Sequence, residues 1–351
     1  MGTTERIQAI CDEFYELCST PDNEALRAFR GEGGRILGVL YNQIPEEVIT
    51  AAGFLPYRIR AVGSTGAEAA DARFTQVNCS LIKHFYDSAA KGRFDFLDGL
   101  VATNGCDHIR KLHENWTSVL KPAYSYLLCF PKRQGDDLQV AQLTKEIQKF
   151  KASLEEHFGV TITDEKLKEA IDLHNRTREL QRALYSLRTK EHPPLTGAQM
   201  LAVMMAGTCM PREAYNAQLE RLVELCQEAE GIDGYRARVV IYGGEIDSIA
   251  LLEAIESQGA LIVSDSLGGF GKRSCDMTVS TEGDLYHNLA DAYLMQRPGE
   301  PRLHGTRAAR WAYLERTAEE ANAQGIIQIH IPICDLWRHP CSEARSFLPR
   351  P

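Results

Sequence analysis

The sequence predicts an α/β fold built from two parallel-sheet units, with helices ahead of the first unit and a helical stretch between the two. Three observations predict it. Short apolar runs alternate with amphipathic stretches over residues 35–139, and do so again over 236–351. Between them, over 140–235, apolar residues recur at helical spacing. Strands that alternate with helices are joined by crossovers, and crossovers make a sheet parallel.

Residues 1–34 read as one or two helices ending near Gly31, Gly33 and Gly34. RILGVLY then reads as a buried strand. IPEEVITAAG reads as a helix opened by Pro45 and closed by Gly53. FLPYRIRAV is a second strand, followed by a loop, the helix CSLIKHFYDSAAKG, the strand DFLDGLVAT and the helix DHIRKLHENW. The middle block carries VAQLTKEIQKFKASLEEHFG, EKLKEAIDLHNRTRELQRALYSLR and REAYNAQLERLVELCQE, broken by HPPLTG. The second unit runs through RVVIYGG, EIDSIALLEAIESQG and ALIVSD to GIIQIHIPICD. The two units look alike in plan, since each follows a strand with a cysteine and then an aspartate, in GCDHIR and in ICDLWR.

Bulk properties narrow the function. The 351 residues are 44% hydrophobic and 25% charged, enough for two proper cores. A net charge of −9 with no long basic run argues against nucleic acid. No stretch has the ~18 uninterrupted apolar residues of a membrane span, and MGTTERIQAICDEF has no apolar signal core. MGTTER starts like a myristoylation site, but Arg6 sits where Ser or Thr is wanted. The expectation is a cytoplasmic protein.

Ten cysteines is a high count for such a chain. A reducing compartment argues against disulfides, and the absence of CxxC argues against a zinc ribbon or a thioredoxin-like site. Most of the thiols read as core residues. Three stand out by position. Cys106 and Cys334 fall at strand ends, where sites form in open α/β sheets. Cys79 opens a helix, whose N-terminus favours the thiolate that binds metal. If the three converge, three soft ligands suit an iron–sulfur cluster better than a four-ligand structural zinc. On spacing alone, buried structural cysteines are the ordinary reading.

The chain resembles the 2-hydroxyacyl-CoA dehydratase and benzoyl-CoA reductase family over nearly its whole length. The resemblance is carried by QIPEEVITAAG, VNCSLIKHFYD, GLVATNGCDHIRKLHENW, VVIYGGEIDSIALLEAIESQGALIVSDS and GIIQIHIPICDLW, in that order. It implies two tandem Rossmann-like domains and a [4Fe–4S] cluster held by Cys79, Cys106 and Cys334, with Cys341 as the alternative third ligand. It also implies a homologous second subunit, a CoA-thioester substrate and a separate ATP-hydrolysing activator that injects single electrons. The implied chemistry is one-electron reduction of the thioester to a ketyl-type radical, leading to loss of water or to ring reduction. Two rivals stand beside it: a double-cubane reductase acting on small molecules without CoA, and a scaffold subunit with no chemistry. Family members continue past the ICD motif, whereas this chain stops at CSEARSFLPRP, so the second unit reads as truncated or incomplete.

Other residues are weighed individually. Glu46 and Glu47 read either as a solvated first-turn pair complementing the helix dipole or, following the family, with Glu47 as a proton-transfer residue. GGEID can approach a phosphate or a cluster closely, but it is not GxGxxG. Lys272 and Arg273, after SDSLGGFG, could meet CoA phosphates, though an ordinary loop is the simpler reading. His108 and His113 share no helix face well and read as solvated or packed. No Walker A motif is present, so any ATP is hydrolysed elsewhere.

Overall fold

The structure, a computed structural model, describes residues 2–338. Among these, seven strands form two parallel sheets. The first sheet has β1 (Arg35–Leu40), β2 (Phe54–Arg58), β3 (Gly99–Thr103) and β4 (Ser125–Leu128), in the order β2-β1-β3-β4. The second has β5 (Ala237–Gly243), β6 (Ala260–Leu267) and β7 (Gly325–Ile329), in the order β6-β5-β7. Registers place Leu37 opposite Gly99 and Val239 opposite Gly325. Both faces of these sheets are covered, so β1, β3 and β5 are near-continuous apolar runs rather than alternating ones. β4 is short and mostly half-buried, and the sequence reading passes over it for that reason.

Helices supply the crossovers and the middle block. In the N-terminal part these are α1 (Thr3–Ser19), α2 (Glu24–Gly31), α3 (Glu46–Ala51), α4 (Glu68–Asp71), α5 (Ser80–Ala90) and α6 (Asp107–Asn115). The middle block is α7 (Asp137–Phe158), α8 (Asp164–Leu187), α9 (Gly197–Ala206) and α10 (Arg212–Glu228). The remainder are α11 (Ile249–Glu256), α12 (Leu285–Asp291), α13 (Arg307–Glu320) and α14 (Asp335–Arg338). Local chemistry sets their ends. Asp136 caps α7 through the Leu138 amide, and Gly159, at φ +67°, stops it. Thr196 and Gln199 form a capping box on α9. The apolar stripe Val140, Leu143, Ile147, Phe150 and Leu154 of α7 packs at helical spacing against β4 and α12.

One core joins the two sheets. Ile36, Leu40, Leu100 and Ala102 of the first share a cluster with Ile241, Ile262 and Leu267 of the second, and Ala198, Leu201 and Met205 of α9 lie in the same cluster. In both sheets the chain changes its direction of winding beside the central strand: between β1 and β3, and between β5 and β7. A crevice at the carboxyl ends of such strands is the usual ligand site of open α/β sheets.

Candidate functional site

Each predicted cysteine ligand sits at the start of a helix. Cys79 is the N-cap of α5, Cys106 the N-cap of α6, and Cys334 immediately precedes α14. β7 ends at Ile329 and is half-buried, so Cys334 does not directly end a buried strand as the sequence suggests. The chain turns first, through Ile333 at φ +63°, a conformation that a β-branched residue rarely adopts. Cys341 lies outside the described residues.

The three thiols share one electrostatic environment. The second and third amides of each following helix act on them: Leu81 and Ile82 on Cys79, His108 and Ile109 on Cys106, Leu336 and Trp337 on Cys334. For Cys79 and Cys106 no strict capping hydrogen bond forms, so the influence is electrostatic. The thiols also act on one another, Cys106 and Cys334 on Cys79, and Cys106 on Cys334. Burial is the largest influence and pushes all three up, Cys79 to about 12. The helix-start amides favour the thiolate as expected, but burial wins. In the free protein these are neutral thiols, and an incoming metal must displace their protons.

That donor set fits a multi-iron cluster. Among the described residues, no three His, Cys, Asp or Glu side chains converge closely enough for a single metal ion. Three cysteine donors, each at a helix start, suit a cluster in which each thiolate binds a different iron. All-sulfur donors select soft metals over Mg²⁺ or Ca²⁺. The nine described cysteines are free, and Cys11, Cys18, Cys209, Cys226 and Cys275 are buried in the core.

Neighbouring residues fix the cysteine loops. The Cys79 amide donates to Nδ1 of His108 at 3.2 Å, which ties the start of α5 to α6. His108 is therefore a positioning residue, a role its sequence spacing does not reveal. A Cβ at Gly105 would meet Oε1 of Gln43, so a larger residue beside Cys106 would have to displace that side chain. Arg302 pairs with Asp107 at 3.2 Å and favours the Cys106 thiolate. Beside Cys106 and Cys334 an open cleft of about 640 Å³ is lined by Asp107, Asp335, Arg302, His304, Arg307 and Arg310. By contrast, Arg273 is fully buried and donates to the carbonyls of Pro298 and Gly299, and Lys272 pairs with Asp276. These two are structural, in line with the ordinary-loop reading.

The glutamate pair corrects the solvated reading. Glu46 is 6% exposed and Glu47 0%. Glu46 accepts from Arg58 at 2.5 Å and from Arg212 at 3.0 Å. Burial raises the Glu46 carboxyl, but the two guanidinium groups outweigh it and hold it below its ordinary value. Glu47 accepts from Arg178 and from the Tyr293 hydroxyl, the latter at 2.9 Å. Arg178 comes from α8, and Tyr293 follows α12. The first turn of α3 points inward because β1 delivers it into the crevice, where the partners wait.

The GGEID loop puts a third carboxyl there. Glu245 follows β5, and a Cβ on Gly269 would collide with its Oε2. Its Oε1 is sealed from solvent with no hydrogen-bond partner. Burial pushes it up to about 7, with Glu300 and Asp247 adding to the rise and Arg58 and Arg297 opposing it. Tyr41, at the end of β1 with φ +82°, donates to Glu300 at 3.2 Å and lies within electrostatic reach of Cys106 and Glu245.

Sequence reasoning misses the arginines. Arg58, Arg178, Arg212 and Arg297 line a cavity of about 60 Å³ near Glu46. The available signal was charge inside an apolar strand, as in FLPYRIR.

Comparison with known proteins follows the same lines. A family model described as 2-hydroxyglutaryl-CoA dehydratase, D-component, matches residues 41–349. A benzoyl-CoA reductase subunit of Thauera aromatica is 28% identical over 95% of this chain and 87% of its own length. The (R)-2-hydroxyglutaryl-CoA dehydratase beta subunit of Acidaminococcus fermentans is 24% identical over 94% and 87%. The (R)-phenyllactyl-CoA dehydratase beta subunit of Clostridium sporogenes is 22% identical over 92% and 86%.

Proposed function

The chain belongs to the 2-hydroxyglutaryl-CoA dehydratase D-component family, and from that premise we propose that it is the cluster-bearing subunit of a CoA-thioester reductase or 2-hydroxyacyl-CoA dehydratase. The observation that supports the reading is that Cys79, Cys106 and Cys334 each stand at a helix start, with Cys106 and Cys334 in electrostatic reach of Cys79 and Cys106 in reach of Cys334. These three hold a [4Fe–4S] cluster, which when bound supplies low-potential single electrons and a Lewis-acidic iron.

The chain's own residues do the rest. The arginine-rich cleft beside Cys106 and Cys334 receives the anionic portion of the thioester. Tyr41 donates to Glu300 beside the crevice, and Glu245 lies in electrostatic reach of both. Glu47 transfers protons, with the Tyr293 hydroxyl as its link to the cavity that Tyr293 also lines. Glu245, poised near neutrality, is a second carrier. Relatives bear the names of subunits of larger enzymes. A homologous second subunit accordingly completes the enzyme, and an ATP-hydrolysing activator delivers the electron. No helix among the described residues is long and apolar enough to cross a membrane.

The test is anaerobic purification with the native partner, followed by iron and sulfide analysis and turnover of CoA thioesters with each component omitted in turn. We expect a brown chromophore that Cys106→Ser loses, and turnover only with activator, ATP and reductant present. Full cluster occupancy in Cys106→Ser would refute the ligand assignment. Steady turnover by the chain alone would refute the division of labour.

A further inference from the structure

We propose that Trp337 is a positioning residue for Cys334: its indole is a wedge that locks the thiol-bearing turn after β7 onto the glycine loops after β5 and β6. The inference rests on the proposed function only in taking Cys334 as a ligand. Burial singles the side chain out. β7 is half-buried along its length, and Pro332, Ile333 and Asp335 are exposed. From Asn322 to Trp337 the one buried residue is Trp337, at 2% exposure. The turn's own bonds are local. The Cys334 amide donates to the Ile331 carbonyl at 3.0 Å, and the Cys334 carbonyl lies 3.3 Å from Nε2 of His330. Ile333 sits at φ +63° and is exposed. A β-branched residue keeps that conformation only where its surroundings impose it.

The indole supplies the hold. A Cβ at Gly244 would stand 2.8 Å from Cδ1 of Trp337, and a Cβ at Gly268 would stand 2.9 Å from its Cζ2. A side chain at either position would have to push the ring away. Gly244 follows β5 and Gly268 follows β6, so one ring lies against both loops. The Gly268 amide donates to the carbonyls of Gly243 and Gly244, which joins the two loops to each other beside the ring. Tyr242 meets the indole edge-on at 5.6 Å between centroids, and the Arg273 guanidinium lies 5.6 Å from the indole centroid. Both partners are fixed. Tyr242 is a buried residue of β5, and Arg273 is fully buried and bonded to the Pro298 and Gly299 carbonyls. Nε2 of Gln328, on β7, donates to the Trp337 carbonyl at 3.1 Å and closes the turn back on its strand.

The wedge reaches the site from two sides. Cys334 immediately precedes α14, and Trp337 lies within it. Gly244 immediately precedes Glu245. One side chain therefore sets where the thiol stands and braces the loop that carries the Glu245 carboxyl. The third ligand is placed before any metal arrives, as the supporting contacts of a built site place its donors.

The test reads the hold on Cys334 without cluster or turnover. The cluster-free full-length chain is treated with iodoacetamide under native conditions, and the alkylation of each cysteine is followed peptide by peptide by mass spectrometry. A half-buried thiol reacts through local opening, so its rate reports how firmly its own segment is held. In Trp337→Ala we expect Cys334 to react about ten- to hundredfold faster, while Cys275, fully buried in the same half of the chain, keeps its rate. Trp337→Phe, which keeps an aromatic ring on the glycines, should stay close to the parent. Gly268→Ala should free Cys334 from the other side without touching α14. Adding Trp337→Phe to it should restore much of the parent rate, because the smaller ring leaves room for the methyl. Should Trp337→Ala not fold, Gly268→Ala with and without Trp337→Phe decides. Acceleration of Cys334 and Cys275 together would show general loosening and overturn the positioning role. So would a Cys334 rate unchanged in folded Trp337→Ala or Gly268→Ala. Failure of the cluster reading shows itself separately, as a reconstituted chain without iron whose Cys334 is still released by Trp337→Ala.

Discussion

Replacing Glu245 with glutamine should stabilise the chain at alkaline pH and do little at acidic pH. The carboxyl sits at about 7 in the folded protein against an ordinary 4.5, chiefly through burial, with Glu300 and Asp247 raising it and Arg58 and Arg297 lowering it. Between those values the folded state holds the proton and the unfolded state has released it. Folded protein then binds more protons than unfolded, so stability falls as pH rises through the window. A shift of about 2.5 units at about 1.36 kcal/mol per unit is about 3.4 kcal/mol in full. About 2.5 kcal/mol of it is lost between about pH 5 and about pH 8. At about 2.1 cal/mol/K per residue, 351 residues unfold with an entropy of about 0.74 kcal/mol/K, so the effect is about 3 °C. Glutamine keeps the size and removes the charge. The assay is the thermal midpoint of the cluster-free chain and of Glu245→Gln at both pH values. The variant should gain about 3 °C on the parent in going from acid to alkali. A midpoint difference that does not change with pH would show that Glu245 is ordinarily solvated, and the proton-carrier role would go with it.

Further outcomes follow from other buried groups. Glu47→Gln should destabilise by about 3–5 kcal/mol in urea unfolding, because it leaves the 7%-exposed Arg178 without its counter-charge; a loss under about 1 kcal/mol would mean the pair is not sealed. His174, buried neutral and 2.9 Å from the Thr50 hydroxyl, has its pKa far below the ordinary value. The unfolded chain protonates first, so stability should fall by up to about 1.4 kcal/mol per pH unit below about pH 6.5, and His174→Gln should flatten that slope; an unchanged acid limb would contradict it. In reconstituted protein, Cys334→Ser should strip the chromophore and Cys341→Ser should leave it, as read by visible absorption and iron content; the reverse pattern would reassign the third ligand.

Much of the fold was legible because parallel strands buried on both sides leave continuous apolar runs, as RILGVL and RVVIYG do. β4 was not, because SYLL at a sheet edge is short and carries a polar residue. Cys79 and Cys106 at helix starts could be read from strand–helix alternation alone, whereas Cys334 read as a strand end. Their electrostatic reach of one another could not, since it depends on how two distant units pack around α9. Glu46 and Glu47 look like any exposed first-turn pair until Arg58, Arg178 and Arg212 arrive from a strand and two helices. Periodicity reports the face on which a residue lies; it is silent on which distant residue meets it there.

The two sheets carry their carboxylates and cysteines at matching positions. Glu46 and Glu47 follow the central strand β1 and Cys106 follows its neighbour β3; Glu245 follows the central strand β5 and Cys334 follows its neighbour β7. Two halves on one plan each set a carboxylate after the central strand and a cysteine after its neighbour. Cys79 opens α5 in the connection from β2 to β3, whereas the cysteine in the matching connection from β6 to β7, Cys275, opens no helix and is fully buried. The two halves therefore differ in where the further thiol goes: to a helix start in the first, into the core in the second.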